Sequence, residues 1–325
     1  MAGDAIWICW ERQRRNRELA AALGIPLHEF GEVGRVRNRA LKYLRGLAAT
    51  TGLLLRRRPR RVVAMNPSIV LAVFCVTLGR LLPVRVIIDA HNSGLVPMGG
   101  RSRLLNALAN YAMRHASLTI VTNEGLRPLV EANRGRVVIL PDRLPTLATG
   151  RIPQLRGTHN LVFVCTYADD EPYREVLEAA RLLPADWVVY VTGNPERARF
   201  DGAAVPPNVE LTGFVAEEDF VGLLAAADAV VDLTTREHCL VCGAYEAVAL
   251  GKVAVLSDTD ALRDWFGEAA ILTGHAPDEL AASMRRAVDE RAVREAGMPD
   301  VRQRIEARWQ EYFTRLCTEL GREGP

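Results

Sequence analysis

The sequence predicts an α/β protein of two Rossmann-like, doubly wound domains, and three observations carry that prediction. Short apolar runs rich in Val, Ile and Leu alternate with helical patterns, as parallel strands covered by helices do. The alternation breaks off over residues 141–153, which hold three prolines and no periodicity, and then restarts. The charge also changes sign between the halves. Residues 1–150 hold 23 Lys and Arg against 9 Asp and Glu (+14), and residues 151–325 hold 18 against 30 (−12), within a chain of formal net charge +2. At 325 residues and 49% hydrophobic content the chain can bury sizeable cores, which excludes disorder as its main state. Six thinly spread cysteines exclude a disulfide scaffold.

The elements follow in order. Ala5–Trp10 reads as a strand, Arg14–Leu23 as a helix closed by Gly24, and Ile25–Phe30 as a second strand. A basic helical segment follows, then a strand at Arg61–Met65, a helix at Pro67–Leu82 and a strand at Val84–Asp89. Ser102–His115 and Leu126–Asn133 read as helices, each followed by a strand, Leu118–Thr122 and Arg136–Leu140. In the second half, strands are expected at Leu161–Cys165, Trp187–Thr192, Val209–Thr212, Ala229–Leu233 and Val253–Ser257. Helices are expected at Tyr173–Leu183, Glu217–Ala227, Cys242–Leu250, Pro277–Glu290 and Val301–Leu320. The expected domains are 1–145 and 156–300, with a linker at 146–155 and a C-terminal helix, 301–325, free to pack back on the first. Ligands of such sheets bind beyond the strand carboxyl ends, so an interdomain cleft faced by those ends is expected.

The stretch from Arg35 to Arg61 holds ten basic residues and no acid, interleaved with leucines at roughly helical spacing. It suits an anionic membrane surface, or a solvated face, or the phosphates of a soluble substrate. The most apolar run, Ile69–Leu82, is too short to span a bilayer. Asp4 and Glu11 do not fit a signal peptide. The expectation is a cytoplasmic protein, peripheral at the inner face of the membrane if the basic helix binds lipid.

The residues after each strand carry the chemistry. After Trp10 comes Glu11-Arg12-Gln13-Arg14-Arg15, where Arg12 and Arg14 can hold a phosphate at a helix N-terminus. After Ile88 comes Asp89-Ala90-His91-Asn92. A carboxylate and an imidazole two residues apart can act as base and orienter or hold sugar hydroxyls; alternatively Asp89 and Asn92 cap a turn. After Leu233, Arg236 and the turn at Gly243 lead into a helix carrying Glu246. A pyrophosphate can sit on that N-terminus, and Glu246 can take a ribose diol or simply complement the helix dipole. Cys239-x-x-Cys242 is a lone pair, short of a zinc site. Thr192-Gly193-Asn194-Pro195 is a glycine turn after a strand but no G-x-G-x-x-G fingerprint. His28, His115, His159 and His275 have no partner pattern and read as structural.

The stretch Glu237-His238-Cys239-Leu240-Val241-Cys242-Gly243-Ala244-Tyr245-Glu246-Ala247, running on to Gly251-Lys252-Val253, resembles the C-terminal signature of GT-B-fold glycosyltransferases of the retaining mannosyltransferase and glycogen synthase type. Thr212-Gly213-Phe214-Val215 before an acidic helix fits the same family. The resemblance implies that Glu246 holds the nucleotide ribose and that Gly213 and Phe214 lie near the base. Strand ends and resemblance together give the expected donor site: Thr166, Thr192, Gly193, Gly213, Phe214, Arg236, Glu237, His238, Cys242, Gly243 and Glu246. The chain departs from the family at three places. His238 stands eight before Glu246 where the family has a Glu, residues 166–172 hold none of the family's phosphate-binding Arg or Lys, and the Gly-rich loop after the first strand is missing. Asp89-Ala90-His91-Asn92-Ser93-Gly94 and Asp169-Asp170-Glu171 are similar to the chitobiosyldiphospholipid β-1,4-mannosyltransferase, an inverting GT-B enzyme acting on a membrane-anchored diphospholipid.

The expectation is therefore a nucleotide-sugar-dependent hexosyltransferase, with Asp89 and His91 catalytic, Arg12, Arg14 and Asn92 on the acceptor or phosphate side, and the donor residues in the second domain. No metal or other cofactor is expected, because Arg and a helix dipole can balance the diphosphate. The expected partners are the sugar donor, a lipid-linked glycan acceptor, and an anionic membrane through Arg35–Arg61, with no nucleic acid. Two rivals stay open at this point: a sugar-nucleotide epimerase on the same fold, and a basic membrane- or nucleic-acid-binding protein.

Overall fold

Every strand pairing in the computed structural model, which describes residues 4–31, 38–66, 68–198 and 205–321, is parallel. The first sheet holds β1 (Ala5–Cys9), β2 (Leu27–Glu29), β3 (Arg61–Asn66), β4 (Arg85–Ala90), β5 (Leu118–Val121) and β6 (Val137–Ile139), in the order β2-β1-β3-β4-β5-β6. The second holds β7 (His159–Phe163), β8 (Trp187–Thr192), β9 (Val209–Gly213), β10 (Ala229–Asp232), β11 (Ala254–Ser257) and β12 (Ala270–Thr273), in the order β12-β11-β10-β7-β8-β9. The helices of the first half are α1 (Arg14–Ala22), α2 (Arg39–Arg57), α3 (Ile69–Leu81), α4 (Arg103–His115) and α5 (Arg127–Ala132). Those of the second are α6 (Tyr173–Arg181), α7 (Glu217–Ala226), α8 (Cys242–Leu250), α9 (Asp260–Phe266), α10 (Pro277–Asp289) and α11 (Arg291–Glu319). The α/β, doubly wound prediction is what the chain adopts.

Contacts divide the chain into one unit of Met1–Arg143 with Trp309–Pro325 and a second of Leu144–Arg308. Each has its own apolar core. Ile8, Ala64, Ile88 and Met113 are buried in the first, and Phe163, Val189, Val231 and Met284 in the second. The central strands are buried on both faces, which is why they read as unbroken apolar runs. In each sheet the strand order reverses beside the unit's first strand, between β1 and β3 and between β7 and β10. Those reversals are where open α/β sheets form a crevice at their carboxyl ends.

Three sequence expectations are corrected. The last helix does not start at Val301: α11 begins at Arg291 and continues through Pro299. Its end, with Trp309 donating to the Pro141 carbonyl at 3.1 Å, belongs to the first unit. Residues 260–273, which carried no expected element, form α9 and the edge strand β12. The second strand is shorter than expected, three residues at the sheet edge. Arg35 and Arg37 lie outside the described residues. The remaining basic segment forms α2, capped by Asn38, whose side chain accepts from Leu41 N, and ended by Arg58 in the left-handed region (φ 44°).

Candidate functional site

At the strand reversal of the second unit, the loops after β7 and β10 are tied together by Asp170. Its carboxylate pairs with Arg236 at 2.9 Å and accepts from Thr234 Oγ1 at 2.9 Å, while its carbonyl accepts from Thr235 N at 2.7 Å. Asp170 is mostly covered but Arg236 is half exposed, so the guanidinium keeps donors for a ligand. Thr234 N in turn donates to Ser257 Oγ at 2.9 Å, and that hydroxyl lies 2.8 Å from His275 Nε2.

Beneath this surface is Asp232, the last residue of β10, which is buried. Burial pushes its carboxyl well above the usual carboxylate range, and Glu171, Glu246 and Asp170 add to the effect; the Gly243 N–H opposes it. That N–H donates to Asp232 Oδ2 at 2.6 Å. A Cβ at position 243 would stand 2.6 Å from the same oxygen, so only glycine lets α8 begin this close to β10. Gly243 therefore serves Asp232, and its N–H is not the phosphate donor expected from sequence. Glu246, one turn further, is also buried.

The loop after β7 is closed by an acid. Glu171 accepts from Thr166 N (2.8 Å), Ala168 N (2.9 Å), Thr166 Oγ1 (2.8 Å) and the Cys165 thiol (3.3 Å). Where the resemblance implies cations for the donor phosphates, this chain fills its backbone N–H cradle with its own carboxylate. Thr166 is thus exposed but engaged. Thr192 is buried, and its Oγ1 accepts from Cys165 N at 3.0 Å. Gly193 takes φ 89°, with space for a Cβ denied by the Cys165 carbonyl; its N–H donates to the Gly213 carbonyl. These residues join the ends of β7, β8 and β9. Phe214, just beyond, is 90% exposed, an unburied aromatic face at the carboxyl edge.

Not every expected donor residue converges there. Glu237 accepts from Asp260 N at 2.7 Å and so holds the N-terminus of α9. Cys242 is exposed, His238 and Cys239 are half-buried, and both cysteines are without disulfides, as are the other cysteines. Among the described residues, no group of three or more His, Cys, Asp or Glu is arranged to hold a metal.

In the first unit, Asp89 is completely buried and accepts three hydrogen bonds from Arg15 Nε and Nη2, at 2.8–3.2 Å. Arg15 also donates to Asp142 (2.5 Å) and the Leu140 carbonyl (3.0 Å). Burial works against the guanidinium, but the two carboxylates outweigh it and hold its pKa above the usual range. Asp89 is accordingly a buried ion-pair partner rather than an accessible base. His91, two residues on, is half-buried; its backbone N–H donates to the Asn66 carbonyl, and its Nε2 is buried without a partner. Asn66 Oδ1 is likewise unpartnered, while Asn66 Nδ2 donates to the Gly94 carbonyl. Two open polar atoms thus lie at the carboxyl ends of β3 and β4. Arg12 is exposed; Arg14 and Asn92 are half-buried. The sequence reading missed Asp232, Thr234, Ser257 and Asn66. A polar residue ending an apolar strand was the signal available for Asp232 and Asn66.

Comparison with known proteins agrees with this architecture. Residues 158–290 match the family model described as Glycosyl transferases group 1. No curated protein sequence matches the chain. Among solved structures, Anabaena Alr3699/HepE in complex with UDP-glucose superposes with a TM-score of 0.71 at 13% identity, over 97% of this chain and 99% of that one. Sucrose-phosphate synthase from Thermosynechococcus elongatus gives 0.69 at 16% identity, over 86% and 78%. The E. coli trehalose-6-phosphate structure bound with UDP-2-fluoro glucose gives 0.60 at 16%, over 84% and 77%. The fold is GT-B, and the stretch that matches the glycosyltransferase model falls within the second unit.

Proposed function

We propose that this protein is a glycosyltransferase that moves a hexose from a nucleotide diphosphate sugar to a glycan or lipid-linked acceptor during glycoconjugate or polysaccharide assembly. The observation that carries the reading is the loop pair at the second strand reversal, which holds half-exposed Arg236 and leads into the helix of buried Glu246, in the unit matching the glycosyltransferase model. HepE holds UDP-glucose on the same fold, which makes uridine diphosphate sugars the first donors to try.

In this reading Arg236 leaves Asp170 to meet the diphosphate, whose charge grows as the glycosidic bond breaks. The N-terminus of α8 adds to that positive field. Glu246 accepts from the ribose hydroxyls, and Phe214 offers its face to the base. The acceptor belongs to the first unit, where His91 takes the proton of the attacking hydroxyl and Asp89, held by Arg15, fixes the strand end from which His91 projects. Arg12, Arg14 and Asn92 serve the acceptor's phosphate. The basic face of α2 brings the protein to an anionic membrane. Among the described residues no helix is long and apolar enough to cross one.

The test is a thermal-shift panel of UDP, GDP, CDP and ADP with their sugars, since a ligand that binds only the folded state raises its melting temperature. A selective shift with one diphosphate, lost in Arg236→Ala, is expected. No shift with any of them would overturn the donor reading. Isomerised donor without transfer would replace it with an epimerase.

A further inference from the structure

At the amino ends of β3 and β4, the pole of the first sheet opposite its ligand loops, a groove of about 870 Å³ opens between the C-terminal ends of α2 and α3. Its floor is apolar, with Leu54, Leu78 and Val86 among the lining side chains. Leu55 and Leu82, at its rim, are 67% and 46% exposed, and neighbouring Leu81 is 76% exposed. Exposed leucines rimming an open apolar groove are costly on a surface that meets only water. The groove is bordered by Arg58, Arg60, Arg61 and Arg85. Among the described residues Arg58, Arg61 and Arg85 make no ion pair, and the one acid of the groove, Asp4, lies 3.9 Å from Arg60. The cationic rim runs on into Arg56 and Arg57 of α2.

We propose that this groove is a binding site for one anionic phospholipid, with an acyl chain against the leucines and the phosphate on the arginine rim. The inference rests on the membrane reading of α2 and gives it a site. Basic residues alone hold a protein loosely and reversibly at anionic lipid; a chain inserted beside them supplies the second signal that firm attachment needs. Because the groove lies at the amino ends of the strands, a lipid there leaves the carboxyl-end loops clear. Charge selects the occupant: the rim carries unpaired cations, so a neutral apolar ligand would leave them unused.

The experiment is calorimetric titration of the full chain with monomeric dodecyl phosphate and octyl phosphate, each below its micellar concentration, beside flotation with phosphatidylglycerol and phosphatidylcholine vesicles. Each methylene buried in an apolar site is worth about fourfold in affinity. Saturable binding of one dodecyl phosphate per chain is expected, at least tenfold tighter than octyl phosphate. Leu55→Asp with Leu82→Asp, both at exposed positions that the fold does not need, should weaken it more than tenfold. Arg58→Ser with Arg85→Ser should weaken dodecyl phosphate while a neutral dodecyl ligand fails to bind either protein. Absent binding, binding indifferent to chain length, or binding unchanged in the leucine variant would overturn the site. If vesicle flotation persists in that case, the groove is wrong and the membrane reading stands; if flotation on phosphatidylglycerol is also absent, both fall. The nucleotide panel reads the sugar-transfer assignment separately.

Discussion

The two units share one sheet plan but treat a buried acid near the carboxyl end of a central strand in opposite ways. In the first, Asp89 is met by a buried guanidinium, and Arg15 ties β4 to α1, to Asp142 and to the Leu140 carbonyl. In the second, Asp232 has one backbone N–H and three acidic neighbours, and its carboxyl is pushed well above its ordinary range. The first arrangement is a compensated ion pair that holds the fold. The second sets a carboxyl among other acids in the interior, where its protonated form is favoured, and groups shifted in this way cluster where a ligand or a reaction makes use of them. A shared fold therefore does not give the two carboxyl edges the same work.

The largest expected effect breaks the compensated side. Arg15→Met leaves Asp89 buried and unpaired, which costs about 3–5 kcal/mol and should lower the melting temperature by roughly 6–20 °C. A melting temperature within a degree or two of wild type would show that the ion pair does not hold the first unit. Next comes His91→Ala, expected to cut turnover by about 100-fold or more with the nucleotide-induced thermal shift intact. Normal turnover would remove His91 from the reaction.

On the uncompensated side, Glu246→Gln should weaken nucleotide diphosphate binding by roughly 10–100-fold, the usual worth of a hydrogen bond to a charged group. Unchanged affinity would end the ribose assignment. The smallest effect is the pH dependence of Asp232. Its folded-state pKa is raised above the unfolded value, so the folded protein binds the extra proton. Stability from this group is present below the ordinary aspartate range and is lost as pH rises through the raised value. Asp232→Asn removes that loss, so its stability relative to wild type should grow from pH 4 to pH 7. A difference independent of pH would contradict the buried, protonation-favouring setting.

Much of this fold was legible because parallel strands buried on both faces write themselves as unbroken apolar runs, of which Trp187–Thr192 and Arg61–Asn66 are examples. The edge strand β12 was not, because four residues between α9 and Gly274 give no period to read. Thr259, whose side chain caps Leu262 N, was one local signal of α9, too short a helix to show a period. Pro299 hid the start of α11, since a proline normally ends a helix. Of the candidate site, Arg236, Glu246 and the glycine turn at 193 were singled out by reading strand ends, and Gly213 by the family resemblance. The roles of Asp89, Gly243 and Glu237 were not, because a motif shows which groups are near in sequence and not which partner from a distant strand or helix takes them.

The central claim is that the second strand reversal is the donor site, and hydrogen–deuterium exchange of the full chain with and without UDP tests it most directly. Slower exchange in residues 164–171 and 233–246, with the loops after β3 and β4 unchanged, is the predicted result. Protection confined to those first-unit loops, with none in the second unit, would contradict it.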